Sequence, residues 1–385
     1  MRFRTVLVRL ALVAAIAAIV LCSGVAARLG GLHAASSAHD AIGTLPATRL
    51  TALPPRTIHD GTAPLRVRLS GRPAAFSPRP HLSPAVAGHW LTHGDSELFV
   101  PRTTLEPCST YTLGISASTS SVSHSPVGVH RDIPLHVACP SVRGLQLALA
   151  RLGYLPYRAR SASLPSGPGG DRRSTTPSGH TAGSSIARRA RLTAMLAFHP
   201  PHDPHLRARY AGAPALRYGE LDETTKGGLM VFQSEHELEA TGEANEATWR
   251  ALFGAVERDQ RKHTPYTWVT VSESIPETLE VHQGSHVALT TPVNTGVAGA
   301  ETAQGAFPIF SRFTSTTMTG TNPDGSKYSD PGVPWVNYFN GGDAVHGFPR
   351  GSYGTPQSNG CVELPIETAQ KVYGMLAIGD IVVVS

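Results

Sequence analysis

Residues 346–361 read HGFPRGSYGTPQSNGC. The stretch opens on His-Gly and closes on Gly-Cys, and its interior is rich in Gly, Pro and Ser. A nucleophilic cysteine needs a base nearby, because the thiolate is the species that attacks. His346 stands fifteen residues before Cys361, enough chain for a loop to leave one strand and return beside it. Gly347 and Gly360 leave room for backbone groups to approach a substrate. The N–H groups of Gly360 and Cys361 can then point at a developing oxyanion. With 18 His in the chain, this spacing alone also fits an inert buried thiol. The surrounding sequence has to decide between the two.

Around the loop, residues 264–385 read as a β-dominated α+β domain. YTWVTVS, TLEVHQ and HVALTTPVNTG have strand character, GAFPIFSRF follows, and GDIVVVS is a closing strand. LPIETAQKVYGMLA supplies one helix, starting near Ile366 and close enough to Cys361 for its dipole to favour a thiolate. The segment TMTGTNPDGSKYSDPGVPWVNYF, studded with Gly, Pro and Asp, reads as a long functional loop. Tyr328, Trp335, Tyr338 and Phe348 lie in or beside it and are candidate walls for a substrate. Asp324, Ser326, Tyr328 and Asp330 alternate like a calcium loop but lack the downstream Glu, so no metal is expected there.

These pieces resemble the L,D-transpeptidase (YkuD-like) family. The carriers are His346, Gly347, Ser358, Gly360, Cys361 and Val362 in the loop, Thr295 and Gly296 in a turn, a T-x-x-G-x-F-x-I run from Thr302 to Ile309, and G-D-x-V-x-V from Gly379 to Val384. The resemblance implies attack by Cys361 on a peptidoglycan stem peptide, with release of the terminal D-Ala and formation of a thioester. His346 would serve as base and then acid, oriented by the Gly347 carbonyl. The backbone N–H groups of Asn359, Gly360 and Cys361 would form the oxyanion hole. An amine of a second stem would resolve the thioester into a cross-link; water in its place would make the chain an L,D-carboxypeptidase. No cofactor or metal is implied. The chain departs from the family pattern at Asn359, where His is usual, at Glu363, where Arg or Asn is common, and at Ala303, where Pro is usual. A non-catalytic wall-binding scaffold is the competing reading, against which the intact His346/Cys361 pair stands.

Ahead of this domain the chain is built differently. Its first ten residues hold three Arg, followed by an uncharged apolar run from Leu10 to Ala27. Residues 1–27 therefore read as a secretory signal or an uncleaved membrane anchor, which places the chain in the cell envelope or wall. Cys22 follows Leu21, where a lipid-attachment site would have a small residue, and reads as apolar filler. Cys108 and Cys139 flank one compact region and are expected to pair in an oxidising compartment. Cys361 is then an odd thiol that needs a task. Residues 264–385 carry four Lys/Arg and ten Asp/Glu, a balance of −6, so the preceding residues carry +11 of the net +5. A basic front half suits an anionic wall polymer or a membrane surface, while peptidoglycan stem peptides and glycan are the partners the resemblance implies. An exported chain without a nucleic-acid motif is a poor partner for nucleic acid.

The expected organisation is multidomain. Residues 28–60 are a linker rich in Ala, Thr and Pro. Residues 61–139 show short period-two runs (LRVRL, YTLGIS, IPLHV) and read as a β-sandwich. Trp90, Phe99, Pro101, Pro107 and Tyr111 resemble bacterial immunoglobulin-like modules. Residues 141–254 read as a small three-helix domain with an insertion at 157–216. Leu145, Gln146, Leu149, Leu152, Gly153 and Tyr154, then Phe232 and Gln233, Thr241 and Gly242, and Thr248, Trp249 and Leu252 resemble the peptidoglycan-binding helical domain. The insertion opens on low-complexity sequence, expected to be flexible. Its FHPPHDPH holds His199, His202 and His205, but the intervening prolines prevent a helix from aligning them, and no metal is expected.

Overall fold

The computed structural model describes residues 49–70, 79–94, 96–118, 128–159 and 205–385, with Ala190, Arg191, Ala194, Ala197 and Phe198. The apolar run at 1–27, most of the linker, His199 and His202 lie outside the described residues. Among the described residues no helix is long and apolar enough to cross a membrane.

The N-terminal part holds two four-stranded sheets. One has the order β1 (Arg49–Ala52), β3 (Leu65–Ser70), β6 (Ser96–Pro101), β5 (Gly88–His93); the other has β2 (Thr57–Ile58), β8 (Gly128–Val137), β7 (Thr110–Ser118), β4 (His81–Ser83). Alternation sends Leu65, Val67 and Phe99 of the first, and Leu113, Ile115 and Leu135 of the second, into one shared cluster. Cys108 and Cys139 are joined by a disulfide. Cys108 also packs into the core of the helical region that follows.

That region has α1 (Val142–Leu152), α2 (Glu223–Glu235) and α3 (Glu246–Arg258), capped by Ser141, Asp222 and Asn245. Its core gathers Leu145, Leu149, Phe232, Trp249 and Leu252. Two fully buried glutamines stitch it. Gln146 Nε2 donates to Arg217 O, Glu220 O and Thr225 Oγ1, and Gln233 Nε2 donates to Glu243 O and Thr248 Oγ1. Parts of the 157–216 segment pack with the helical region. β9 (Tyr157–Ala159) pairs with β10 (Leu206–Ala208), and Phe198 is 1% exposed within the helical core.

The C-terminal domain stacks two sheets and a helix. The first sheet runs β13 (His286–Pro292), β12 (Thr278–Gln283), β11 (Thr267–Ser272), β19 (Ile381–Val384), β14 (Gly305–Pro308); the second runs β15 (Ser311–Thr321), β16 (Lys327–Asn340), β17 (Asp343–Gly347), β18 (Val362–Leu364). Val269, Val271, Val281 and Val382 from the first sheet meet Phe339, Val345, Val362 and Leu364 from the second, with Ala369 and Val372 of α4 (Ile366–Met375). The segment expected as a long loop is instead the β15–β16 hairpin, turning at Asn322–Ser326. Register shifts between Thr316 and Met318, and a left-handed Trp335 (φ 60°), break the period-two pattern that would have revealed it. The helical region docks closely on this domain: a Cβ at Gly227 would fall 2.4 Å from Gly379 O.

Candidate active site

Strand register brings His346 and Cys361 together. β17 and β18 are parallel neighbours, with Val345 opposite Val362 and His346 opposite Glu363. Cys361 immediately precedes β18. Because side chains alternate along a strand, Ala344 and His346 share the sheet face on which Cys361 and Glu363 stand. His346 and Cys361 are therefore diagonal neighbours. The other face of these strands sends Val345, Val362 and Leu364 into the main core. On the site face Cys361 packs with Met318, Val333, Val336 and Ala344, and Tyr338 and Phe348 lie against that cluster.

His346 is 3% exposed, and its Nδ1 lies 3.1 Å from the Gly347 carbonyl oxygen. A carbonyl only accepts, so Nδ1 carries the proton and Nε2 keeps its lone pair. Burial holds the imidazole pKa below its usual value, against the opposing pull of the Gly347 hydrogen bond and the Glu363 carboxylate. Cys361 is 8% exposed. Burial pushes its thiol up to about 12; a backbone hydrogen bond from Ala344 opposes this, and the carboxylates of Asp343 and Glu363 add to it. Its S–H donates to Gly342 O at 3.7 Å. The resting pair is thus neutral thiol and neutral imidazole. Any thiolate stabilisation from the start of α4 at Ile366 is outweighed by desolvation.

The remaining loop residues have distinct places. Ser358 Oγ donates to Cys361 O at 2.6 Å, and its backbone pairs with Thr295 and Val297, so it shapes the turn under the nucleophile. Gly360 has φ 103°, and a Cβ there would stand 2.6 Å from Asp343 Oδ1. Asn359 Nδ2 donates to Asn322 Oδ1 at 2.7 Å, tying the hairpin turn to the nucleophile loop. Among the described residues no hydrogen bond uses the backbone N–H of Asn359, Gly360 or Cys361 as donor.

Of the four aromatic wall candidates, three lie by the site. Tyr328 and Tyr338 have pKa values raised by burial first and then by their proximity to Cys361. The Phe348 ring stands 6.0 Å from the His346 ring at 82°. Trp335 is the exception: it packs on Tyr373 of α4 at 5.6 Å and against the main core. Strand alternation puts it on the face opposite Val336 and Tyr338. Sequence reasoning missed three supports. Glu277 is fully buried and accepts from Thr295 N (2.7 Å) and Thr295 Oγ1 (2.6 Å), holding the Thr-Gly turn. Asp343 abuts Gly360. Arg350, the one Lys or Arg in the quoted loop, neutralises Glu363 at 2.7 Å; the sequence signal was the unexpected acid at 363 itself.

Residues 266–384 match the family model of the L,D-transpeptidase catalytic domain (YkuD), and residues 206–252 that of a putative peptidoglycan binding domain. A search of curated proteins returned no match. Among solved structures, the chain is similar to the catalytic domain of an Enterococcus faecium L,D-transpeptidase, at 25% identity over 32% of this chain and 100% of that one, with a TM-score of 0.29. It is also similar to L,D-transpeptidase 3 of Mycobacterium tuberculosis, at 14% identity over 87% of this chain and 98% of that one, with the same TM-score of 0.29. A Mycobacterium smegmatis L,D-transpeptidase shares 12% identity over 88% of this chain and 100% of that one, again with a TM-score of 0.29. The C-terminal third of the chain is an L,D-transpeptidase catalytic domain. Joined to a match for a putative peptidoglycan binding domain, it supports peptidoglycan cross-linking and a cell-envelope location.

Proposed function

We propose that the chain cross-links peptidoglycan stem peptides through a Cys361 thioester, with His346 as base and then acid. The observation that carries this is the shared sheet face of His346 and Cys361, with the Nε2 lone pair left free by the Nδ1–Gly347 bond. The free backbone N–H groups of residues 359–361 support the oxyanion role. Because the resting thiol is neutral, attack is coupled to proton transfer. Sγ bonds to the stem carbonyl as its proton passes to Nε2. The imidazolium then protonates the leaving D-Ala amine as the C–N bond breaks. An acceptor amine attacks the thioester, gives its proton back to His346, and leaves the stems joined and the thiol restored. Tyr328, Tyr338 and Phe348 wall the stem, and Ser358 holds the turn.

The N-terminal sheet pair serves as an immunoglobulin-like spacer, and the helical region as the part that meets glycan. The buried amides of Gln146 and Gln233 favour a scaffold role for those two motif residues, so any glycan contact falls on other side chains. Residues 1–27 export the chain. Incubation with tetrapeptide-stem muropeptides should yield dimers and free D-Ala, and Cys361→Ala or His346→Ala should abolish both. Dimer formation at the parent rate in either variant would refute the roles, and tripeptides without dimers would make the chain a carboxypeptidase.

A further inference from the structure

Glu363 is placed where a carboxylate needs explaining. It stands opposite His346 in the β17–β18 register and is 4% exposed. Arg350 closes it in bidentate fashion, Nε to Oε2 at 2.7 Å and Nη2 to Oε1 at 2.8 Å. The same guanidinium donates to Gln357 O at 3.0 Å and lies 4.8 Å from the centre of the Phe348 ring. Phe348 in turn packs edge-on against His346. One side chain thus touches the strand beside the base, the loop segment leading to Ser358, and the ring against the imidazole.

We infer that Arg350 is a positioning residue for His346: it cancels the Glu363 charge beside the imidazole and clamps the loop between base and nucleophile. The inference rests on the proposed catalytic role of His346. The charged and titratable groups facing the imidazole are Glu363 from β18, Arg350 from the loop, Asp330 from β16 and Cys361 on the shared face. Asp330 and Glu363 both favour the protonated ring, and Arg350 is the cation that opposes them. Without Arg350 the uncompensated Glu363 would keep His346 protonated to higher pH and so unable to accept the thiol proton. Without the Glu363 charge the guanidinium would act alone, and the ring would lose its proton at lower pH.

The test is an NMR titration of the His346 ring in the full chain carrying Cys361→Ser, alone and with Arg350→Gln, Glu363→Gln or both. Arg350→Gln should raise the His346 midpoint by about one pH unit, and Glu363→Gln should lower it. The double variant should return close to the parent. In chains that keep Cys361, the acidic limb of the pH–acylation profile should move with the midpoint. Arg350→Lys should restore the midpoint but not the full rate, since Lys lacks the fork. Unchanged midpoints in both single variants would overturn the inference. Should Arg350→Gln fail to fold, Glu363→Gln decides alone, and the absence of a downward shift overturns it. Midpoints that move as expected in a chain that forms no acyl-enzyme would uphold the charge cancellation and sink the catalytic reading instead.

Discussion

Cys361 should be a slow thiol toward small alkylating agents. With its pKa pushed up to about 12 by burial, the thiolate fraction at pH 7.5 is about 3 × 10⁻⁵, against roughly a tenth for an ordinary cysteine. That is a deficit of about three-thousandfold. A more basic thiolate is intrinsically more nucleophilic, and a Brønsted slope of about 0.4–0.5 recovers roughly thirtyfold. Iodoacetamide should therefore label Cys361 about a hundredfold more slowly than the cysteine of an unstructured peptide at pH 7.5. The assay is peptide mass spectrometry of the Cys361 peptide over time, which separates it from Cys22. The logarithm of the rate should climb with a slope of about one from pH 6 to 10, without a plateau. A plateau below pH 8, or labelling as fast as the reference thiol, would show a preformed thiolate–imidazolium pair and refute the neutral resting state.

Two further outcomes follow from buried positions in the C-terminal domain. Asp380 is 4% exposed, and burial raises its carboxyl to about 7 from an ordinary value near 3.8. A raised carboxyl favours folding only while protonated, so the cost is absent below about pH 4, grows toward pH 7 and is constant above it. Asp380→Asn should leave stability at pH 4 unchanged and add up to about 4 kcal/mol at pH 8, read from denaturant melts at both pH values; equal effects at both would contradict the assignment. Gly360→Ala forces a Cβ into a φ of 103° and to 2.6 Å from Asp343 Oδ1. It should cost about 1–3 kcal/mol in the same melts and slow acylation, whereas an unchanged rate would remove this turn from the oxyanion site.

The site was legible in the sequence where chemistry fixes residue type. His346, Cys361 and the flanking glycines stand out because base, nucleophile and close backbone approach leave few alternatives. Strand register, which makes His346 and Cys361 diagonal neighbours, was hidden, since fifteen residues of Gly/Pro-rich loop carry no periodicity. The β15–β16 hairpin was hidden for a related reason: its bulge and the left-handed Trp335 break the alternation that would have revealed it. Glu363 looked like a misplaced charge because its partner Arg350 is thirteen residues earlier and meets it only after the loop folds back. The thiol's neutrality was also out of reach, because desolvation depends on how Met318, Val333 and Val336 close around it. The helical caps at Ser141, Asp222 and Asn245 were more accessible, being local signals.

The most direct test of Cys361 as the acylated nucleophile is the intact mass of the protein after exposure to a carbapenem, followed by peptide mapping. A single adduct on the peptide containing Cys361, absent from Cys361→Ala and slowed in His346→Ala, is the predicted result. An adduct that persists in Cys361→Ala, or none on a folded wild-type sample, would contradict it.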